Sequence, residues 1–177
     1  MRMTDRRWFL GSLAATATTS AGILAATWRP VPSLITSACQ GDAHQGDAGM
    51  SKKILVAYAT RTGSTAEVAN AITDRLCEAG LSAEARPVTQ VTNLEGYSGA
   101  VLGSGVRYAS WLPEMTDFVS ANRDALSAMP VAFFTMHMLA LGDDPAAMAE
   151  RAKYTAKARD MITPTDEVFF EGMIDPA

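Results

Sequence analysis

From Lys53 onward the chain alternates two hydrophobic patterns. Lys53–Ala59 is a continuous apolar run, the mark of a central parallel strand covered on both faces. From Ser64 the spacing becomes helical. Val68, Ile72, Leu76 and Ala79 share one face, and Gly80 stops the helix. Leu81–Arg86 sets Ala83 and Ala85 against Ser82, Glu84 and Arg86, which predicts an edge strand with one wet face. Pro87–Leu94 has room only for a short helix or turn. Ala100–Ser104 reads as a third strand of small residues. Pro113–Asp124 reads as a helix with Pro113 in its first turn and Met115, Phe118 and Val119 on one face. Val131–Thr135 is a fourth strand, Asp144-Pro145 opens a helix running to about Met161, and Val168–Phe170 is a fifth strand. Repeated strand–helix units predict an α/β, doubly wound, five-stranded parallel sheet with right-handed crossovers. A ligand of such a sheet belongs between the first and third strands, at their C-terminal ends.

The first 49 residues follow a different pattern. Thr4-Asp5-Arg6-Arg7-Trp8-Phe9-Leu10 places paired arginines before an apolar pair, and Leu10–Ala26 then carries no charge. This resembles a twin-arginine export signal. Ser12, Thr16, Thr18, Thr19 and Ser20 make the segment too weakly apolar for a firm membrane span. The expected location is periplasmic or membrane-tethered through the N-terminus, and cytoplasmic if this is not a working signal. Ala38-Cys39 is a poor lipidation site, because Thr36 stands where leucine is expected. Residues 40–51, rich in Gly, Asp, Ala and Gln, read as a linker, and His44 within it as solvated. The division is therefore 1–49, signal and linker, and 50–177, the folded domain.

Composition narrows the chemistry. Of 177 residues 48% are apolar, enough for a packed core, and the net charge of −4 argues against nucleic acid as a partner. Residues 50–177 carry 11 Lys and Arg against 16 Asp and Glu. The two cysteines, Cys39 and Cys77, lie in different regions. No structural disulfide is expected between them, and two cysteines make no zinc site.

The candidate chemistry lies in three loops. The first is Thr60-Arg61-Thr62-Gly63-Ser64-Thr65, where a buried strand delivers hydroxyls and a glycine to a helix N-terminus. Backbone N–H groups, the hydroxyls and the helix dipole together favour an anion. No lysine follows as in a Walker A loop, and no Gly-x-Gly-x-x-Gly occurs. A neutral, hydroxyl-rich cradle suits one terminal monophosphate, which points to a mononucleotide, FMN first. The second loop, Gly103-Ser104-Gly105-Val106-Arg107-Tyr108-Ala109-Ser110-Trp111, offers glycines for close approach, Tyr108 and Trp111 for stacking on a flat ring, and Arg107 for charge near it. The third, Thr135-Met136-His137-Met138, is expected to form the remaining wall. His137 has two readings, a proton relay or hydrogen-bond donor to a ligand, and a structural histidine. Arg107 and His137 are the catalytic candidates, and no metal site can be assembled.

These loops together resemble the flavodoxin family. Tyr58-Ala59-Thr60-Arg61-Thr62-Gly63-Ser64-Thr65 matches its FMN signature, aromatic-x-[Ser/Thr]-x-Thr-Gly-[Asn/Ser]-Thr. Within the family the likeness is nearer to the flavodoxin-like, menaquinone-dependent protoporphyrinogen oxidases. Their Gly-x-Ser-Ile-Arg-Tyr is similar to Gly103-Ser104-Gly105-Val106-Arg107-Tyr108, and Phe118-Val119 and Met129-Pro130 look similar too. The resemblance implies strand order 2-1-3-4-5. It also implies that Thr60–Thr65 hold the FMN phosphate, that Ser104–Tyr108 and Trp111 flank the ring, and that electrons pass from a tetrapyrrole precursor to quinone. A flavodoxin-type electron carrier between redox proteins, or a truncated non-catalytic remnant, are the alternatives. The resemblance further implies a longer C-terminal part ending in a helix, where this sequence has only Glu171–Ala177 after the fifth strand. Apolar surface on strands one, three and four is then expected to lie partly bare, giving marginal stability, aggregation or a partner.

Overall fold

The computed structural model describes residues 36–40 and 53–172. The signal-like segment and most of the linker lie outside the described residues. The elements are β1 (Ala38–Cys39), β2 (Lys53–Ala59), α1 (Ser64–Glu78), β3 (Ser82–Pro87), a single 3-10 turn (Val88–Gln90), β4 (Tyr97–Arg107), β5 (Ser110–Trp111), α2 (Pro113–Ala121), α3 (Arg123–Ser127), β6 (Val131–His137), α4 (Pro145–Tyr154), α5 (Ala156–Arg159) and β7 (Asp166–Glu171). The sheet runs β1-β3-β2-β4-β6-β7, with β5 paired to β4 outside that path. The expected parallel order is present in β3-β2-β4-β6-β7. Two short antiparallel strands, β1 on β3 and β5 on β4, were not anticipated.

Local chemistry explains the boundaries. Asp144 caps α4 by accepting from the Ala146 and Ala147 N–H groups, and Pro145 sits in the first turn. The helix expected through Asp124 breaks at Asn122, whose side-chain amide donates to the Phe118 carbonyl, so α2 and α3 are separate. Likewise the helix expected to Met161 breaks at Thr155 into α4 and α5.

The sheet is covered unequally. One face packs Leu55, Leu102 and Phe133 against Met115, Val119, Leu126 and Ala158 from the helices after β4. On the other, α1 lays Ala66, Ala69 and Ile72 over Val56, Tyr58 and Ala85. Phe134 extends this cover over β4. A Cβ on Gly103 would sit 1.8 Å from the Phe134 ring, so only glycine lets that ring lie down on the strand. The surface expected to be bare on the first, third and fourth strands is thus largely filled: Tyr58 and Phe134 are buried, Val101 half-buried. Within the strands the large exposed apolar side chains are on β7, where Val168 is 43% and Phe170 37% exposed, and Phe170 meets the Phe134 ring edge-on.

Two further expectations are corrected at the β3 edge. Cys39 and Cys77 form a disulfide, with Cα atoms 6.0 Å apart. Segment 36–40 folds back onto α1, which brings together cysteines that look unrelated in sequence. The Cys39 sulfur is therefore engaged and not available for lipidation. Nor is β3 an edge strand with a wet face. β1 covers its outer side, and Glu84 is only 6% exposed. The Glu84 carboxylate is met by Lys53 Nζ at 2.7 Å, Arg86 Nε at 3.2 Å and the Tyr97 hydroxyl. Burial alone would raise the Glu84 pKa, but hydrogen bonds from Lys53, Tyr97 and Arg86 outweigh it and hold the carboxyl below its usual range. Burial, reinforced by the bond to Glu84, pushes the Tyr97 phenol up to about 12.

Candidate functional site

The first loop leaves β2 at Ala59, beside Ser104 of β4, so it opens at the C-terminal ends of the two middle strands. Thr60 Oγ1 accepts from the Gly63 N–H at 2.9 Å and closes the turn. Gly63, at φ 101°, then swings the chain into α1 in a left-handed conformation that favours glycine. No side chain caps α1. The Ala66 and Glu67 N–H groups turn back onto the Gly63 carbonyl at 2.8 and 3.1 Å. The N–H groups of Ser64 and Thr65 are not taken by a cap, and Thr62 and Ser64 stand exposed beside them. A helix end with free donors, flanking hydroxyls and no acidic cap is chemically suited to a phosphate.

Arg61 does not stand free. Its guanidinium pairs with Glu114 in the first turn of α2, tying the loop to the helix beyond the second loop. Glu114 was not singled out in the sequence, and its spacing from Arg61 gives no signal. Burial raises the Glu114 pKa, but its backbone hydrogen bond and Arg61 prevail and keep it below the ordinary value.

The second loop is a hairpin. β4 continues through Arg107 and returns at once as β5, with Val106 opposite Trp111 and Arg107 opposite Ser110. Its two turn residues, Tyr108 and Ala109, both have φ 53°, where asparagine and glycine are usual. Such strain concentrates at functional positions. It projects Tyr108, 88% exposed, with Arg107 Cζ 5.1 Å from the ring centroid. Gly105 and Val106 are half-buried at its base.

Three predicted residues lie behind this hairpin instead of on its surface. Trp111 is 2% exposed, its indole N–H donating to Thr135 Oγ1 at 2.8 Å and its ring 4.7 Å from that of Phe133. Ser104 is buried, accepts from the Leu112 N–H at 3.0 Å and donates to the Gly105 carbonyl at 2.8 Å. Thr135 is buried as the indole acceptor, and Met136, opposite Gly105, is half-buried. His137 is buried between Tyr154 and Phe169, with ring centroids 6.0 and 6.1 Å away. Its Nδ1 donates to the Leu139 carbonyl at 2.8 Å, which makes it an anchor of the third loop. Arg151 holds the same loop through the Ala140 and Gly142 carbonyls at 3.2 and 2.6 Å. Among the described residues no group of His, Cys, Asp and Glu is placed to hold a metal ion, and no helix is long and apolar enough to cross a membrane.

A family model described as a flavodoxin domain matches residues 55–176. The chain belongs to the flavodoxin family. It is a flavodoxin-like flavoprotein. Among curated proteins it is 30% identical over 90 residues to protoporphyrinogen IX dehydrogenase (quinone) of Escherichia coli K12, a match covering 50% of each chain. It therefore spans about half the length of the curated relatives it matches. Among solved structures, Megasphaera elsdenii flavodoxin in its two-electron reduced form is similar with TM-score 0.53 and 19% identity, over 70% of this chain and 90% of that one. Oxidised flavodoxin 1 of Bacillus cereus is similar with TM-score 0.52 and 19% identity, over 71% and 88%. At such identities these structures speak to the flavodoxin-like fold.

Proposed function

We propose that this chain is an FMN-dependent oxidoreductase of the protoporphyrinogen-oxidase-like branch, with a tetrapyrrole precursor as electron donor and a quinone as acceptor. The observation that carries the FMN part is the uncapped α1 N-terminus, with its exposed hydroxyls, at the C-terminal ends of β2 and β4. The donor and acceptor rest on the Gly103–Tyr108 motif and on the 90-residue likeness to a protein of that name.

In this reading the Ser64 and Thr65 N–H groups and the Thr62 and Ser64 hydroxyls bind the phosphate, while Thr60 shapes the turn. Arg61 latches the loop through Glu114, its charge balanced there, so the phosphate is held mainly by neutral donors. Tyr108 provides the stacking surface, and Arg107 beside it sets a positive charge at the rim. Trp111, Ser104 and Thr135 brace the hairpin from behind, and His137 fixes the third wall. FMN, when bound, supplies two-electron redox chemistry. The chain reaches an oxidising compartment by the twin-arginine route in the same proposal, and the Cys39–Cys77 disulfide fits that destination.

The test is purification followed by turnover. A yellow protein that oxidises protoporphyrinogen IX with menaquinone supports the whole reading. A yellow protein that exchanges electrons only with protein partners favours the carrier instead. A colourless protein that takes up no added FMN overturns the reading.

A further inference from the structure

We propose that residues 36–40 are an oxidation-locked strap: the Cys39–Cys77 disulfide holds them on the outer edge of β3 and against α1, and reduction releases them and opens that edge. Among the described residues the strap is attached in five ways. Its β1 pairs antiparallel with β3, Ala38 opposite Glu84 and Cys39 opposite Ala83. The Ala85 N–H donates to the Ser37 carbonyl at 2.8 Å. The Ser37 N–H donates to Asn70 Oδ1 at 3.0 Å, and its hydroxyl to Asp74 Oδ1 at 2.5 Å. Cys77, in the last turn of α1, takes the disulfide. Asn70, Asp74 and Cys77 fall at i, i+4 and i+7, one stripe of the helix.

The noncovalent part of this attachment is slight. Two residues of strand pairing, one further backbone hydrogen bond and two exposed or half-buried polar contacts are weak against the conformational entropy of ordering five residues. The covalent bond is therefore the lock. What it protects is a sheet edge. Without the strap, β3 presents Ala83 and Ala85 on a bare edge with free N–H and C=O groups, a template for pairing with another chain. Locking removes one hydrogen from each thiol and joins the two sulfurs. The two protons and two electrons pass to the disulfide of a thiol–disulfide exchange partner, which leaves as two thiols.

The experiment uses the full chain, purified in air, and does not depend on whether flavin binds. Thiol titration in denaturant is expected to find no free cysteine. Amide exchange is then followed at Ala85, with Val56 on β2 and Leu102 on β4 as internal controls. Full reduction by a phosphine is expected to speed Ala85 exchange at least tenfold and to leave it faster than both controls, which report only the global stability lost with the disulfide. Cys39→Ser is expected to show the fast rate without reductant and not to respond to it. Two free thiols in the air-purified protein would overturn the proposal, as would an Ala85 rate that full reduction of the wild type does not change.

Discussion

Helix α1 is finished in opposite ways at its two ends. At the C-terminal end every contact comes from within the chain. The Ala79, Gly80 and Leu81 N–H groups close the last turn on Arg75, Cys77 and Leu76, and the disulfide ties that turn to segment 36–40. At the N-terminal end the chain supplies donors and no cap. The saturated end is a structural joint, and in the proposed function the open end is where a ligand completes the helix. The two ends therefore ought to fail separately, one in stability and the other in binding.

The largest effect is expected at the closed end. Loop closure across a separation of 38 residues is worth about 4 kcal/mol. Cys77→Ser is expected to lower unfolding free energy by that order in urea, with FMN affinity little changed. At the open end, Thr62→Val with Ser64→Ala removes two hydroxyl donors to a charged group. It is expected to weaken FMN binding by about 3 kcal/mol, roughly a hundredfold, with an unchanged urea midpoint. If either change moved both quantities equally, the contrast between the ends would be wrong. Gly63→Ala joins the two ledgers. A Cβ at φ 101° costs about 1–2 kcal/mol, measured as a loss of stability, and displaces the first turn, so affinity falls with it.

The smallest effect comes from pH at the strapped edge. The Glu84 pKa is depressed in the fold, so its contribution is complete above the ordinary 4.5 and disappears as pH falls through the lower folded value. Tyr97 is raised from 10.0 to about 12, so its contribution is complete below 10 and disappears as pH rises through about 12. Unfolding free energy is expected to drop at both extremes in the wild type, and Tyr97→Phe is expected to reduce the alkaline drop, leaving the part due to Tyr58 and Tyr154, whose phenols burial also pushes up.

The parallel core was legible because each of its strands carries its own signal. Lys53–Ala59 is apolar throughout, and α1 begins and ends within a residue or two of its expected limits. The strap was not legible. Thr36–Cys39 has no alternation, and a two-residue strand exists only because α1 and β3 are there to receive it. The alternation in β3 predicted a wet side that the fold does not have: Ala83 and Ala85 are buried on one side and Ser82 and Glu84 on the other, because Lys53, Arg86 and Tyr97 together make a buried Glu84 tolerable. In the candidate site, loop chemistry was visible and side-chain direction was not. Tyr108 and Trp111 look equivalent in sequence. A tight turn at φ 53° sends one outward, and pairing with Val106 carries the other into the core.

In the proposed function the α1 N-terminus grips the phosphate of FMN. The most direct measurement compares FMN with riboflavin, which lacks only that phosphate, by titration of the full chain after removal of bound flavin. FMN is expected to bind at least a hundredfold more tightly. Equal affinities, or no binding of FMN at all, would contradict it.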